Sequence, residues 1–183
     1  MYVWLRLARM MATSRSRGRY HPGDESRLSF RCLPTDVDTN LHLNNARYMM
    51  LADVGRIDIF ARSGLISLAR ERRWAPMIGG LQAVYVREIK LWKRFDVVTT
   101  LETWQDTQVL GRHRFVLEDG STAAIIMTTA GVYDYASRSF VPIDDILAAL
   151  GIFAKSRPAS DEEQAFMASH AGLRRLAKDM TVR

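Results

Sequence analysis

The chain of 183 residues holds a single cysteine, Cys32, so no intrachain disulfide can form. Cys32 lies in a strand-like stretch, where a buried thiol is an inert core group, and such a chain fits a reducing compartment. Long apolar runs are also missing. The best candidate, residues 1–12, is broken by Arg6 and Arg9, whereas a membrane span needs about 20 consecutive apolar residues. The same stretch lacks a clean apolar centre and a small-residue cleavage site, so it reads poorly as a signal peptide. The histidines, His21, His42, His113 and His170, are scattered and Cys32 stands alone, so no metal and no cofactor is expected. No Gly-x-Ser-x-Gly elbow occurs. Ile78-Gly79-Gly80 lacks both the spacing and the lysine of a phosphate loop. Without an RNP or helix-turn-helix pattern, four Trp and a basic charge give no nucleic-acid signature, and no nucleic-acid partner is expected.

What is present suffices for a core. Hydrophobic residues make up 48% of the chain, and its length fits one domain with short appendages. The net charge of +6 favours anionic partners, a statement about association and not about fold. A basic protein with no charge-driven partner is the plain alternative. Residues 1–20 contain Arg6, Arg9, Arg15, Arg17 and Arg19 and no acid, while Val3, Leu7 and Met10 share one helical face. Two readings compete: an amphipathic segment on an anionic bilayer, or an arm packed on a neighbouring subunit. So short an apolar face binds a membrane weakly, which favours the arm.

Periodicity outlines the rest. Residues 26–32 alternate as a strand that Leu33-Pro34 ends. Residues 45–63 form a helix with two adjacent apolar stripes, one of Tyr48, Ala52, Gly55 and Ile59, the other of Met50, Val54, Ile57 and Ala61, so more than one face is buried. Gly55 inside this helix costs about 1 kcal/mol relative to Ala, which close approach to a sheet would explain. Four strand-like runs follow, at 77–89, 95–104, 109–117 and 123–135, with Asp119-Gly120 as a hairpin turn, and the strand pattern resumes at 140–143. A helical stretch is expected over 144–153. A capping box, Ser160 to Glu163, then opens a second helix with Phe166, His170, Leu173 and Ala177 at helical spacing. The layout is α+β: an antiparallel sheet wrapped around one long central helix, with a C-terminal helical extension.

The richest segment is Asp36-Val37-Asp38-Thr39-Asn40-Leu41-His42-Leu43-Asn44-Asn45-Ala46-Arg47-Tyr48. It packs two carboxylates, an imidazole and three primary amides just before the helix, far more than a turn needs for its backbone donors. This run resembles the D-x-D-x-N-x-H-x-N-N-x-x-Y signature of the hot-dog-fold thioesterase superfamily, in the branch that includes acyl-ACP thioesterases and the vertebrate thioesterase-superfamily-member-6-like proteins. The resemblance implies a hot-dog domain over residues 23–143, with a basic arm at 1–22 and a C-terminal helical extension at 144–183.

The chemistry agrees with that resemblance. Thioester hydrolysis needs an attacking water or carboxylate and a site for the oxyanion, while the thiolate leaves with little help. An Asp supplies the first and a helix N-terminus the second. The resemblance implies Asp38 as base or nucleophile, His42 to orient the water or polarise the carbonyl, and Asn40 to orient either group or hold the substrate. Asn44 or Asn45 caps the helix, and Asn45 and Tyr48 are expected at the substrate. In an extended loop, Asp38, Asn40 and His42 would turn to one side. Taken singly, Asp38 is a cap and His42 an ordinary surface or core histidine. Some family members use a helix carboxylate instead, here Asp53, with Asp58 a weaker candidate; a buried Asp53 would need a partner or a raised pKa.

The implied substrate is acyl-CoA or acyl-ACP. The phosphates of coenzyme A call for cations at the entrance, and Arg87 and Lys90 are the foremost candidates. Lys93 and Arg94, and Arg112, His113 and Arg114 on the next strands, are the others, against the plain reading of a solvated strand face. The resemblance also implies a homodimer or homotetramer with the active site between subunits, Met49, Met50 and Phe60 lining the acyl pocket, and a cytoplasmic protein, membrane-peripheral if residues 1–20 touch a bilayer. Two alternatives stand beside it. One is a hot-dog acyl-CoA hydratase or dehydratase, whose D-x-N-x-x-H spacing Asn40-Leu41-His42 misses by one residue. The other is a non-catalytic acyl-binding, membrane-associated protein.

Overall fold

Asn44 fixes where the long helix begins. In the computed structural model, which describes residues 2–181, its side chain accepts the Ala46 N–H at 2.9 Å, and α2 (Asn45–Ser63) follows directly. Tyr48, Leu51 and Ala52 on one side of α2 bury against Phe95, Val97, Phe115 and Ile126 of the sheet. That sheet is antiparallel throughout, in the order β1 (Ser26–Arg31), β3 (Arg94–Gln105), β4 (Gln108–Leu117), β5 (Thr122–Asp134), β2 (Trp74–Tyr85), with β6 (Ser139–Val141) also paired to β5. Gly55 explains the close fit. A Cβ there would sit 2.2 Å from Thr99 Oγ1 on β3, so the expected approach of helix to sheet is what the glycine permits.

The second stripe of α2 is covered by the chain's own N-terminus. In α1 (Tyr2–Ser14), Leu7 and Met10 pack with Leu28 of β1 and with Val54 and Ile57 of α2. The anticipated helical face is therefore real, and it docks on the chain's own β1 and α2. Polar bonds lock the arm down. Arg17 pairs with the fully buried Asp58, which also accepts Ser26 Oγ at 2.7 Å and Arg62 Nη1 at 3.2 Å. Tyr20, buried between arm and sheet, accepts the Leu101 N–H at 3.0 Å, and burial pushes its phenol up to about 12.

Several boundaries depart from the sequence reading. A short helix, α3 (Leu65–Arg72), occupies the basic stretch after Gly64, and β2 begins at Trp74 and ends at Tyr85. Residues 86–89, expected in the same strand, lie beyond its end and serve another partner. Val86 and Arg87 N–H groups both end the ladder on the Ala123 carbonyl, and residues 89–91 then pair with 41–43 of the polar loop. The tail helix α4 (Ile143–Ala149) starts one residue early, after Pro142, and stops at Gly151, whose φ is 65°. It belongs to the core, with Ile146 and Leu147 packed on Trp104 and Val132.

The last helix, α5 (Asp161–Thr181), starts from the expected capping box: Ser160 N–H donates to Glu163 at 2.8 Å and Glu163 N–H to Ser160 Oγ at 3.4 Å. Glu163 is fully buried against Arg157 at 2.6 Å and Arg112 at 3.1 Å, and the Arg157 guanidinium holds its carboxyl below the usual range. Arg112 and His113 alternate on β4, so α5 lies on the sheet face opposite α2. His170 anchors it with a 2.7 Å hydrogen bond to the Gly79 carbonyl, and a Cβ at Gly80 would lie 2.4 Å from the His170 ring. Beyond His170 the helix leaves the sheet and Leu173 is exposed. Among the described residues no helix is long and apolar enough to cross a membrane.

Candidate active site

The polar segment folds as a tight turn and not as an extended loop. Leu41 N–H donates to the Asp38 carbonyl at 3.1 Å, Asp38 N–H to the His42 carbonyl at 3.0 Å, and Leu41 takes a left-handed φ of 59°. The chain reverses between Asp38 and His42, so the side-by-side alignment expected from an extended backbone does not arise. The turn still keeps Asp38, Asn40 and His42 together. Asp38 Oδ1 accepts the Asn40 N–H at 2.9 Å, and Oδ2 has no partner among the described residues. Asn40 is exposed, and Asp38 and His42 are half-buried.

A second strand holds the turn in place. Leu43 N–H donates to the Ile89 carbonyl at 2.8 Å and Leu91 N–H to the Leu41 carbonyl at 3.2 Å, which sets His42 opposite Lys90. His42 Nε2 lies 2.5 Å from Glu88, and Glu88 also pairs with Lys90 at 2.8 Å. The structure thus joins His42 and Lys90 through Glu88, a residue the sequence reading did not single out; the charge alternation of Arg87-Glu88-Ile89-Lys90 was its only signal. Arg87 reaches the next hairpin, 3.6 Å from Asp119 and 3.2 Å from Ser121. Arg87, Glu88, Lys90, Lys93 and Arg94 line an open groove of about 590 Å³ beside the turn.

Asp36, two residues before Asp38, is fully buried. Its Oδ2 accepts the Leu33 N–H at 2.9 Å and Arg6 Nη2 at 2.7 Å, and its carbonyl accepts the Asn44 N–H at 2.8 Å. Arg6 also donates to the Arg31 carbonyl at 2.9 Å, so a residue of α1 ties the loop to β1. No local pattern marks Arg6 as a loop residue, because its partner is 30 positions away. Next to this knot Cys32 is buried, and its thiol is pushed up to about 11 by loss of solvation and by Asp36.

The two helix carboxylates sit in different surroundings. Asp53 is exposed and pairs with Arg56, whereas Asp58 is the buried one. Arg56 in turn lies 3.3 Å from Nε2 of His113, whose Nδ1 is 3.0 Å from Thr99 Oγ1. Burial, reinforced by Arg56, brings the His113 imidazole down to about 3, and burial lowers Arg56 to about 10. His113 is therefore a neutral core group and not part of a cationic rim. Asp53 lies about 12 Å along α2 from Asn45, at 1.5 Å per residue. Tyr48 is not at the surface: it sits in the core, 4.7 Å from the Phe115 ring and 5.0 Å from Tyr85 between ring centres, and burial raises its phenol. Asn45 is exposed at the first turn of α2, and Met49 shares that open side.

At the far side of the sheet, β2 pairs only with β5 and presents Met77, Ile78, Leu81 and Val84 to solvent. An open apolar edge of this length invites pairing with another strand.

Residues 32–150 match the family model described as the thioesterase-like superfamily. Protein THEM6 of Xenopus laevis is 35% identical over 97 residues, which cover 52% of this chain and 47% of that protein. Protein THEM6 of Drosophila melanogaster is 31% identical over 103 residues, 55% of this chain and 53% of the other. The chain spans about half the length of these curated relatives. Among solved structures, the probable thioesterase YbaW of Escherichia coli is similar with a TM-score of 0.63 at 18% identity, over 68% of this chain and 94% of that one. A Staphylococcus aureus protein solved in complex with CoA gives a TM-score of 0.62 at 12% identity, over 77% and 94%. At such identities these two likenesses speak to the fold.

Proposed function

Since the chain belongs to the thioesterase-like superfamily and has the hot-dog fold, we propose that it hydrolyses the thioester of an acyl-CoA or acyl-ACP, with Asp38 as base or nucleophile. The observation that carries this reading is the state of Asp38. One carboxylate oxygen is spent on the turn and the other has no partner among the described residues, a few residues ahead of the α2 N-terminus that Asn44 caps. In this mechanism Asp38 takes a proton from water or attacks the carbonyl itself. The first-turn N–H groups of α2 face the developing oxyanion, and the thiolate departs without needing a strong acid. His42, steadied by Glu88, orients the water or polarises the carbonyl, and Asn40 holds the substrate. Arg87 and Lys90, on the neighbouring groove, meet the phosphates of the carrier. The CoA bound to the Staphylococcus aureus neighbour supports that substrate class.

A homodimer joined along β2 is the matching assembly, because it would cover the exposed Leu81 and Val84. Sedimentation should then give a dimer that Leu81→Lys breaks.

The test is thiol release from acyl-CoA of graded chain length and from acyl-ACP. Asp38→Ala should lose about 10²–10⁴-fold in rate while Asp53→Ala keeps most of it. Hydrolysis indifferent to Asp38→Ala would move the reaction to Asp53. Release of thiol from no acyl thioester would end the hydrolase reading, and hydration of crotonyl-CoA would replace it.

A further inference from the structure

A groove of about 740 Å³ runs between α1 and β1, within the range of small-molecule sites. Six arginines line it, Arg6, Arg9, Arg17, Arg27, Arg31 and Arg94, and no acid does. Asp36, Asp58 and Asp96 pair with Arg6, Arg17 and Arg27. Arg9, Arg31 and Arg94 have no acidic partner among the described residues. Arg31 and Arg94 also stand directly opposite each other in the β1–β3 ladder, and like charges so placed repel. An anion between them would turn that repulsion into two charge-assisted forks. Met10, Leu28 and Phe30 line the same groove; on β1 the last two alternate with Arg27 and Arg31, so charged and apolar side chains meet across the free edge of this outer strand.

We propose that this groove binds an anionic amphiphile, with a carboxylate or phosphate head held by Arg9, Arg31 and Arg94 and an alkyl chain lying along Met10, Leu28 and Phe30. The groove is built mostly by residues ahead of the family-matched segment 32–150. It lies at the sheet edge opposite β2, so a partner joining there leaves it open. The two grooves adjoin at Arg94, which lines both, whereas Arg9 and Arg31 line this one alone, and binding here is read without any hydrolysis.

Isothermal titration calorimetry on the full chain tests it, with dodecanoate and dodecyl phosphate below their micelle concentrations, dodecyl maltoside as neutral chain and inorganic phosphate as head alone. Both anionic amphiphiles should bind, maltoside should not, and phosphate should bind at least about tenfold more weakly. Arg9→Ala/Arg31→Ala should weaken the amphiphiles by about tenfold or more. Neither side chain makes an ion pair among the described residues, so the thermal melt should match the wild type; if it does not, Arg94→Gln takes its place with the same expected loss. A preference for dodecanoate points to a released fatty acid, and one for dodecyl phosphate to a phospholipid-derived head. Undiminished binding in the arginine variants, equal binding of maltoside, or phosphate binding as tight as the amphiphiles would each overturn the proposal.

Discussion

The signature turn and the middle of α2 each carry one buried and one open carboxylate. Asp36 and Asp58 are buried completely, and each is met by an arginine of the N-terminal arm, Arg6 and Arg17. Asp38 and Asp53 keep contact with water, one bound only to its own turn and the other to Arg56 one helical turn on. The difference separates carboxylates held inside the fold from carboxylates open to solvent. The buried pair is held inside the fold by arginines, whereas Asp38 keeps a carboxylate oxygen open next to a helix N-terminus.

The sharpest way to break this contrast is to remove a buried acid. Asp58→Ala strands Arg17 and Arg62 and should cost about 3–5 kcal/mol, a fall of roughly 10 °C in thermal midpoint at this chain length. Asp53→Ala, on the surface, should cost no more than about 1 kcal/mol. Equal losses for the two would erase the distinction.

His113 extends the comparison to pH. Its folded pKa, about 3, lies below the ordinary 6.5. The unfolded chain therefore takes up the proton first as pH falls, and the stability held above about pH 6.5 drains away as pH drops toward 3. Urea midpoints at about pH 7 and about pH 5 should differ in the wild type and converge in His113→Gln. Packing comes next. Gly55→Ala drives a methyl into Thr99 and should cost about 1–3 kcal/mol in chemical denaturation. The smallest effect is Asn44→Ala, which removes the α2 cap for about 1 kcal/mol by the same measurement.

Much of this was legible in the residues. The bounds of α2, the hairpin at Asp119-Gly120 and the need for close approach at Gly55 follow from local rules, and the structure agrees with each. The site was legible as a segment and illegible as a network. Asp38, Asn40 and His42 are neighbours in sequence, but Glu88 and Arg6 reach the same turn from elsewhere in the chain, and no spacing rule couples them. The left-handed Leu41 was hidden too, because it is the backbone pairing of residues 41–43 with 89–91 that holds a leucine there. The burial of Asp58 in place of Asp53 depends on where α1 lands, and that is a tertiary outcome.

The two arm arginines have a further consequence. The stretch that relatives share, residues 32–150, contains Asp36 and Asp58 but neither Arg6 nor Arg17. Cut out alone, it would keep its signature, lose Arg6 from Asp36 and leave Asp58 with Arg62 but without Arg17. The segment matched by the family model is shorter than the set of residues that closes its own interior.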